Sequence, residues 1–194
     1  AMVFIKDITK VPKKVKAWKV WKSLQSIVNQ FRQTLPLIAN LRSEGMRKRH
    51  WEQLQEEIGQ QFDPYSEDFT LDKVNGLGLH LHADAISTLA TVASREMAIE
   101  INLKEIKSIW TALPLELTEY KGKYWRIKTI EEINENLEQH QLSLSTMKNS
   151  PYYLTFATDI NHWIRTLNEV AETVEMIMNV QRTWMYLESI FMDS

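Results

Sequence analysis

The residues best spaced for chemistry are His80-x-His82 and the pair Glu96 and Glu100. Two histidines one residue apart have a metal-like spacing, but zinc needs a third and usually a fourth ligand. The other histidines, His50, His140 and His162, are scattered along the chain. Without converging partners, one histidine at a helix start turns inward and the other stays solvated. Glu96 and Glu100 are four apart and share a helix face. A di-metal site would require a second such pair with histidine, so salt bridges to Arg95 or Lys104 are expected instead. No G-x-x-x-x-G-K-[ST] loop is present to cradle a phosphate. "GLGLH" at 76–80 is not a dinucleotide fingerprint, and no strand precedes it. No G-x-S-x-G elbow occurs. The chain has no Cys, which removes thiolate sites and disulfides and fits a reducing compartment. No catalytic, cofactor-binding or metal-binding residue is therefore assigned.

The seven Trp raise the possibility of base stacking on single-stranded nucleic acid. Trp18, Trp21, Trp163 and Trp184 fall on apolar stripes, however, and core packing is the expectation for them. The eight Met read as gap-filling core residues. Charge is unevenly spread. Residues 1–50 carry 12 Lys/Arg against two acids, Asp7 and Glu44, while the remaining residues carry 11 against 23. Such a basic third suits an acidic partner. Lys13, Lys14, Lys16, Arg47, Lys48 and Arg49 are its candidate contacts; the Lys-rich opening, with Lys6 and Lys10, belongs to the same run. Neither nucleic acid nor membrane is expected as a partner. No run of about 18 apolar residues exists, and "AMVFIKDITK" has no signal-peptide core.

The elements that must hold these side chains are mostly helical. Five Gly and five Pro in 194 residues are few. Pro12 suits a first helical turn. Val15, Trp18, Trp21, Leu24, Val28, Phe31 and Leu35 then step by three and four, predicting an amphipathic helix over 12–35 that Pro36 breaks or kinks. A short helix over 36–42 and another over 46–60 follow. Residues 62–80 read as irregular, with a helical turn at 70–75. No Gly or Pro interrupts 79–112, a long helix. Alternating Leu113, Leu115 and Leu117, a turn at Lys121-Gly122-Lys123 and a return over 124–128 predict a β-hairpin. "TIEE" at 129–132 is a capping box opening a helix to 147. Ser150 and Pro151 start a last helix over 151–192. Its stripe runs Ile160, Trp163, Leu167, Val170, Val174, Ile177, Trp184, Leu187, Phe191, with Gln181 the one polar member. The predicted fold is mostly α: an elongated bundle of long antiparallel helices with one short β-hairpin near 113–128, read as a single helical region over 1–194.

Several stretches in order resemble the linker region of dynein heavy chains: "LPLIANLRSEGMRKRHW" (35–51), "FTLDKV" and "LGLHLHADAI" (69–86), "ASREMAIEINLKEIKSIW" (93–110), "LEQHQLSLSTMKNSPYY" (137–153) and "VQRTWMYLESIF" (180–191). The first of these and "YKGKYW" look more like axonemal than cytoplasmic heavy chains. Gly45 departs from the pattern, standing where a helix former such as Ala is expected. The resemblance implies a non-catalytic mechanical element: part of the N-terminal, swinging half of an arm that bends and straightens across a ring of AAA+ modules. It implies that ATP and Mg bind in the ring and not in this stretch. It implies as partners the ring modules and the remaining linker of the same heavy chain, with microtubules reached only through the parent motor. A cytoskeletal location in a cilium or flagellum follows. Ala1 before Met2 and an aromatic last helix closing on Met192-Asp193-Ser194 fit an excised piece. Bending is expected where helices break, with 62–80 one candidate. The alternative from another class is a freestanding helical adaptor binding an acidic protein or polynucleotide through its basic third.

Overall fold

A computed structural model describes residues 10–191. Lys6 and Met192-Asp193-Ser194 lie outside the described residues. The fold is mostly α with one two-stranded antiparallel hairpin. In chain order the elements are α1 (Lys13–Lys16), α2 (Lys19–Leu41), α3 (Lys48–Ile58), α4 (Leu71–Gly76), a 3₁₀ turn (Leu79–His82), α5 (Ala83–Ala112), β1 (Leu117–Tyr120), β2 (Tyr124–Ile127), α6 (Glu131–Lys148), a second 3₁₀ turn (Tyr153–Phe156) and α7 (Ala157–Phe191). The chain divides into two compact units, one up to Met97 and one from Ala98 on, where the sequence had suggested a single region.

In the first unit the expected helix over 12–35 is interrupted. Trp18 takes an extended conformation (φ −71°, ψ 140°) between α1 and α2. No side chain of α1 is buried, and Lys13, Lys14 and Lys16 crowd its single turn. Nothing there offsets the charge repulsion and the cost of helix nucleation. Conversely, Pro36 does not end α2, which runs on to Leu41. An interior proline costs about 3 kcal/mol, but Thr34, Leu37 and Leu41 beside it are buried. Burying each leucine contributes about 1.5–3 kcal/mol, enough to carry the helix past the break. The core of this unit joins Leu37, Leu41, Leu54, Leu79 and Ile86. Residues 59–70 are tied down by aromatics. Phe62 and Phe69 stack at 5.4 Å, and Trp51 meets both edge-on.

In the second unit α6 and α7 form a helical hairpin. Ile133, Leu137, Leu144 and Met147 on α6 face Ile160, Leu167 and Val174 on α7, with Ile99 and Ile106 from the last half of α5. The four-three spacing on α6 and the seven-residue spacing on α7 are those of a packed helical seam. The expected capping box at 129–132 does not form: α6 opens at Glu131 with Ile130 at the N-cap position and no side-chain cap, because the helix starts later than Thr129. The Thr129 hydroxyl accepts from the Glu131 N–H at 3.2 Å, and Ser150 Oγ accepts from the Tyr152 N–H at 3.2 Å. The chain after Pro151 first makes the 3₁₀ turn and becomes α-helical only at Ala157.

The β-hairpin is shorter than its apolar alternation suggested. Leu113 and Leu115 precede β1, and Leu113 packs on the helical core instead. Register pairs Tyr120 with Tyr124 and Leu117 with Ile127. The turn needs left-handed backbone at both Lys121 (φ 50°) and Gly122 (φ 68°), the conformations of a type I′ hairpin turn. The free edge of β2 is closed by a side chain of α7. Gln181 Oε1 accepts from the Ile127 N–H at 2.7 Å, and its Nε2 donates to the Ile127 carbonyl at 3.0 Å. One amide thus stands in for a neighbouring strand, which explains the polar member of an apolar stripe.

The tryptophans depart from the expectation of core packing. Trp21 and Trp163 are half-buried, while Trp18 is 62% and Trp184 40% exposed. Trp184 packs edge-on against Tyr120 (6.1 Å) and Tyr124 (5.0 Å) of the hairpin. One turn on, buried Glu188 accepts from the Tyr120 hydroxyl at 3.1 Å and pairs with Lys121 at 3.0 Å. Beyond Val174 the hairpin is thus met by Gln181, Trp184 and Glu188, while Ile177, Leu187 and Phe191 of the stripe are exposed.

Candidate partner-binding surface

The six basic residues singled out from sequence all lie in the first unit, on two elements. Lys13 and Lys14 are exposed on α1, and Lys16 sets its Nζ 5.9 Å from the centre of the Trp21 ring. Arg47 sits at the N-cap position of α3, where its Nη1 donates to the Glu44 carbonyl at 2.6 Å. Lys48 points to solvent, 3.6 Å from Glu52 one turn on. Arg49 turns inward, and its Nε donates to Glu96 Oε2 at 2.9 Å. The run therefore separates by role: Arg49 is tied into the fold, whereas Lys13, Lys14 and Lys48 present charge outward.

The carboxylate that takes Arg49 also takes a histidine. Glu96 is 6% and His50 1% exposed, and His50 Nε2 lies 3.0 Å from Glu96 Oε2. On its other side His50 Nδ1 accepts from the Arg47 N–H at 3.0 Å. Both ring nitrogens are satisfied by the neutral tautomer that carries its proton on Nε2. Burial pushes the His50 pKa below its ordinary 6.5, and Arg49 and Arg47 push the same way against the pull of Glu96. Arg95 and Lys104 were the expected partners of Glu96; α3 supplies Arg49 and His50 instead. The sequence signal was present but faint: His50, Trp51 and Leu54 form the inward stripe of α3, so a histidine was placed on a buried face.

A second buried histidine occupies the seam of the other unit. His140, 4% exposed, accepts from Trp110 Nε1 at 2.9 Å through Nδ1. It continues the Ile133–Leu137–Leu144–Met147 rhythm of α6, a spacing that marks it as buried. Burial lowers its pKa too, against the opposing field of Glu105. For both histidines the unfolded chain binds a proton more readily than the folded one. Stability is therefore fully present above pH 6.5 and is lost as pH falls below it toward the folded pKa values. Thermal scans from pH 7.5 to 5.5 should show a falling melting temperature. His140→Gln, whose carbonyl can still accept from Trp110, should flatten that slope; an unchanged slope would mean that His140 does not carry it.

His80 and His82 lie in the 3₁₀ turn, and His82 Nδ1 is 3.6 Å from Glu57. Among the described residues no three His, Cys, Asp or Glu side chains are grouped to hold a metal ion. An open groove of about 340 Å³ in the second unit is lined by Glu100, Lys104, Lys107, Asp159, His162 and Trp163. Its charges are of both signs. Gly45 is buried against α5, where an added Cβ would stand 2.5 Å from the Ala93 carbonyl oxygen. That accounts for glycine where a helix former was expected: the turn before α3 meets the backbone of α5 directly.

The chain matches the family described as dynein heavy chain, N-terminal region 2, over residues 1–194. It is 44% identical over 189 residues to the dynein-1-beta heavy chain of the flagellar inner arm I1 complex from Chlamydomonas reinhardtii, covering 97% of this chain and 4% of that one. It is 40% identical over 188 residues to human dynein axonemal heavy chain 2, covering 95% of this chain and 4% of that one. A cytoplasmic dynein heavy chain from Caenorhabditis elegans is 31% identical over 188 residues, covering 97% of this chain and 4% of that one. The chain thus spans about 4% of the length of these relatives.

Proposed function

The chain belongs to the dynein heavy chain family, and from that premise we propose that it is part of the swinging, N-terminal half of the linker arm in an axonemal dynein. The arm bends and straightens across the AAA+ ring in response to ATP, and its straightening is the power stroke. ATP and Mg are bound by the ring, and this stretch contributes mechanics alone. Its partners are the ring modules and the remaining linker of the same heavy chain. Its location is the axoneme of a cilium or flagellum.

The observation that carries this reading is the match to the N-terminal region along the whole chain, together with helices suited to bear load. At about 1.5 Å per residue, the 35 residues of α7 make a continuous rod of about 52 Å. Its first half is seamed to α6, and its second half is clasped to the hairpin through Gln181, Trp184 and Glu188. Clasps at several points along a rod oppose internal bending. A freestanding adaptor binding an acidic protein or polynucleotide remains the alternative, favoured by the basic run without an acid between Asp7 and Glu44.

The test is a Gly-Ser-Gly insertion after Glu175 in an intact axonemal heavy chain. The expected result is retained ATPase activity with microtubule gliding slowed severalfold, because a flexible joint dissipates the stroke. Gliding at the original speed would overturn the proposal. The 194-residue chain alone should turn over no ATP above background. Turnover that survived repurification and vanished on a point substitution in this chain would contradict it.

A further inference from the structure

The first half of α2 carries an apolar ridge that the fold leaves open. Val20, Leu24 and Ile27 are 77%, 45% and 59% exposed, at the i, i+4, i+7 spacing of one helix face. Trp21 and Val28 border them, half-buried. Farther along the helix the apolar face passes into the core, where Leu37 and Leu41 are buried. The ridge is therefore the outward extension of a surface that already packs against protein.

Its charge is of one sign. Between Asp7 and Glu44 the sequence holds eight Lys/Arg and no acid. Lys13, Lys14 and Lys19 are exposed and precede the ridge at its N-terminal end, while exposed Lys22, two residues from both Val20 and Leu24, lies on the other side of the helix. Lys19 also stands in the first turn of α2, where the helix dipole is positive and adds to its charge. A partner must then bring both apolar side chains and carboxylates.

We propose that the Val20–Leu24–Ile27 ridge is a docking surface for an acidic amphipathic helix of a partner, whose apolar side meets the ridge and whose carboxylates meet the lysines at its start. Helix-on-helix docking uses this anchor spacing. The lysines set orientation and encounter rate, and the ridge sets residence. A lipid surface fits less well. The polar side of α2 past Lys22 is Gln25, Ser26, Asn29, Gln30 and Gln33 with Arg32 its one charge, whereas an interfacial helix is charged along its length. The inference rests on α2 itself and not on the arm reading.

The experiment uses the whole chain and a labelled 20-residue probe helix with leucines at the same spacing flanked by glutamates. A second probe carries lysines in their place. Anisotropy should show the glutamate probe bound at least about tenfold more tightly than the lysine probe, a difference of about 1.4 kcal/mol. Leu24→Gln with Ile27→Gln, both at exposed positions, should weaken binding about tenfold with the melting temperature unchanged. Added salt should weaken it further. Equal binding of the two probes, or binding indifferent to the double substitution, would overturn the proposal. So would uptake on anionic vesicles in preference to the probe, which would make the ridge a lipid surface. A dimer dissolved by the same substitutions would make a second copy the occupant and equally overturn it.

Discussion

Gly45→Ala should destabilise the first unit by about 2–3 kcal/mol, the range for overpacking a filled interior. In a thermal scan this is a drop of about 10–20 °C in that unit's transition. The added Cβ would stand 2.5 Å from the Ala93 carbonyl oxygen, 2.9 Å from its carbonyl carbon and 3.3 Å from Met97 Cβ. The first two are backbone atoms of a helix and have no rotamer to retreat into. The turn or the helix must move. Gly59 provides the contrast. It closes α3 at φ 70° with open space around its missing Cβ. Gly59→Ala should cost about 1 kcal/mol from backbone strain alone. If the two alanine variants melt together, close approach is not what Gly45 provides.

Glu96→Leu should cost about 3 kcal/mol at pH 7.5, measured by urea unfolding. Removing one member of a buried, charge-assisted cluster leaves the others without their partner. Here the His50 Nε2–H would be stranded inside the protein, at a site 1% exposed. Arg49 loses its carboxylate as well, but its side chain is 38% exposed and water recovers part of that loss, so the lower end of the usual range applies. Glu96→Gln keeps an oxygen that can accept from His50 and should cost only about 1 kcal/mol. Adding His50→Leu to Glu96→Leu should recover part of that stability, since the stranded Nε2–H is gone although the Arg47 N–H then loses its acceptor. A Glu96→Leu chain as stable as the original would show that the cluster is not worth its desolvation.

Both predictions turn on side chains whose partners lie far along the sequence. Arg49 and His50 are 47 and 46 residues from Glu96, and Gln181 is 54 from Ile127. Periodicity said that Glu96 is on a helix and that Gln181 interrupts an apolar stripe. It could not say which residues stand opposite, because the stripe of one helix carries no record of its neighbour's register. The nearest cations in sequence, Arg95 and Lys104, were therefore the natural expectation, and α3 supplied the real partners. Trp184 shows the same gap. Its spacing marked a packing face, and only the fold revealed that a hairpin, not a helix, meets it there.

What the sequence determined unaided is the helical character of this protein, its hairpin and its family. Helix periods, capping residues and turn glycines act over a few residues, so they are readable where they stand. The order of several short stretches carried the family, because each adds a constraint that composition does not contain. The tertiary structure alone decided where those local rules give way. Burial of Leu37 and Leu41 carries α2 through Pro36, and the lack of any buried side chain lets the chain break at Trp18. It also decided which apolar faces are covered and which, like the Val20–Leu24–Ile27 ridge, are left for something else. Burial is a property of two surfaces meeting, and a single sequence describes each surface without saying which ones meet.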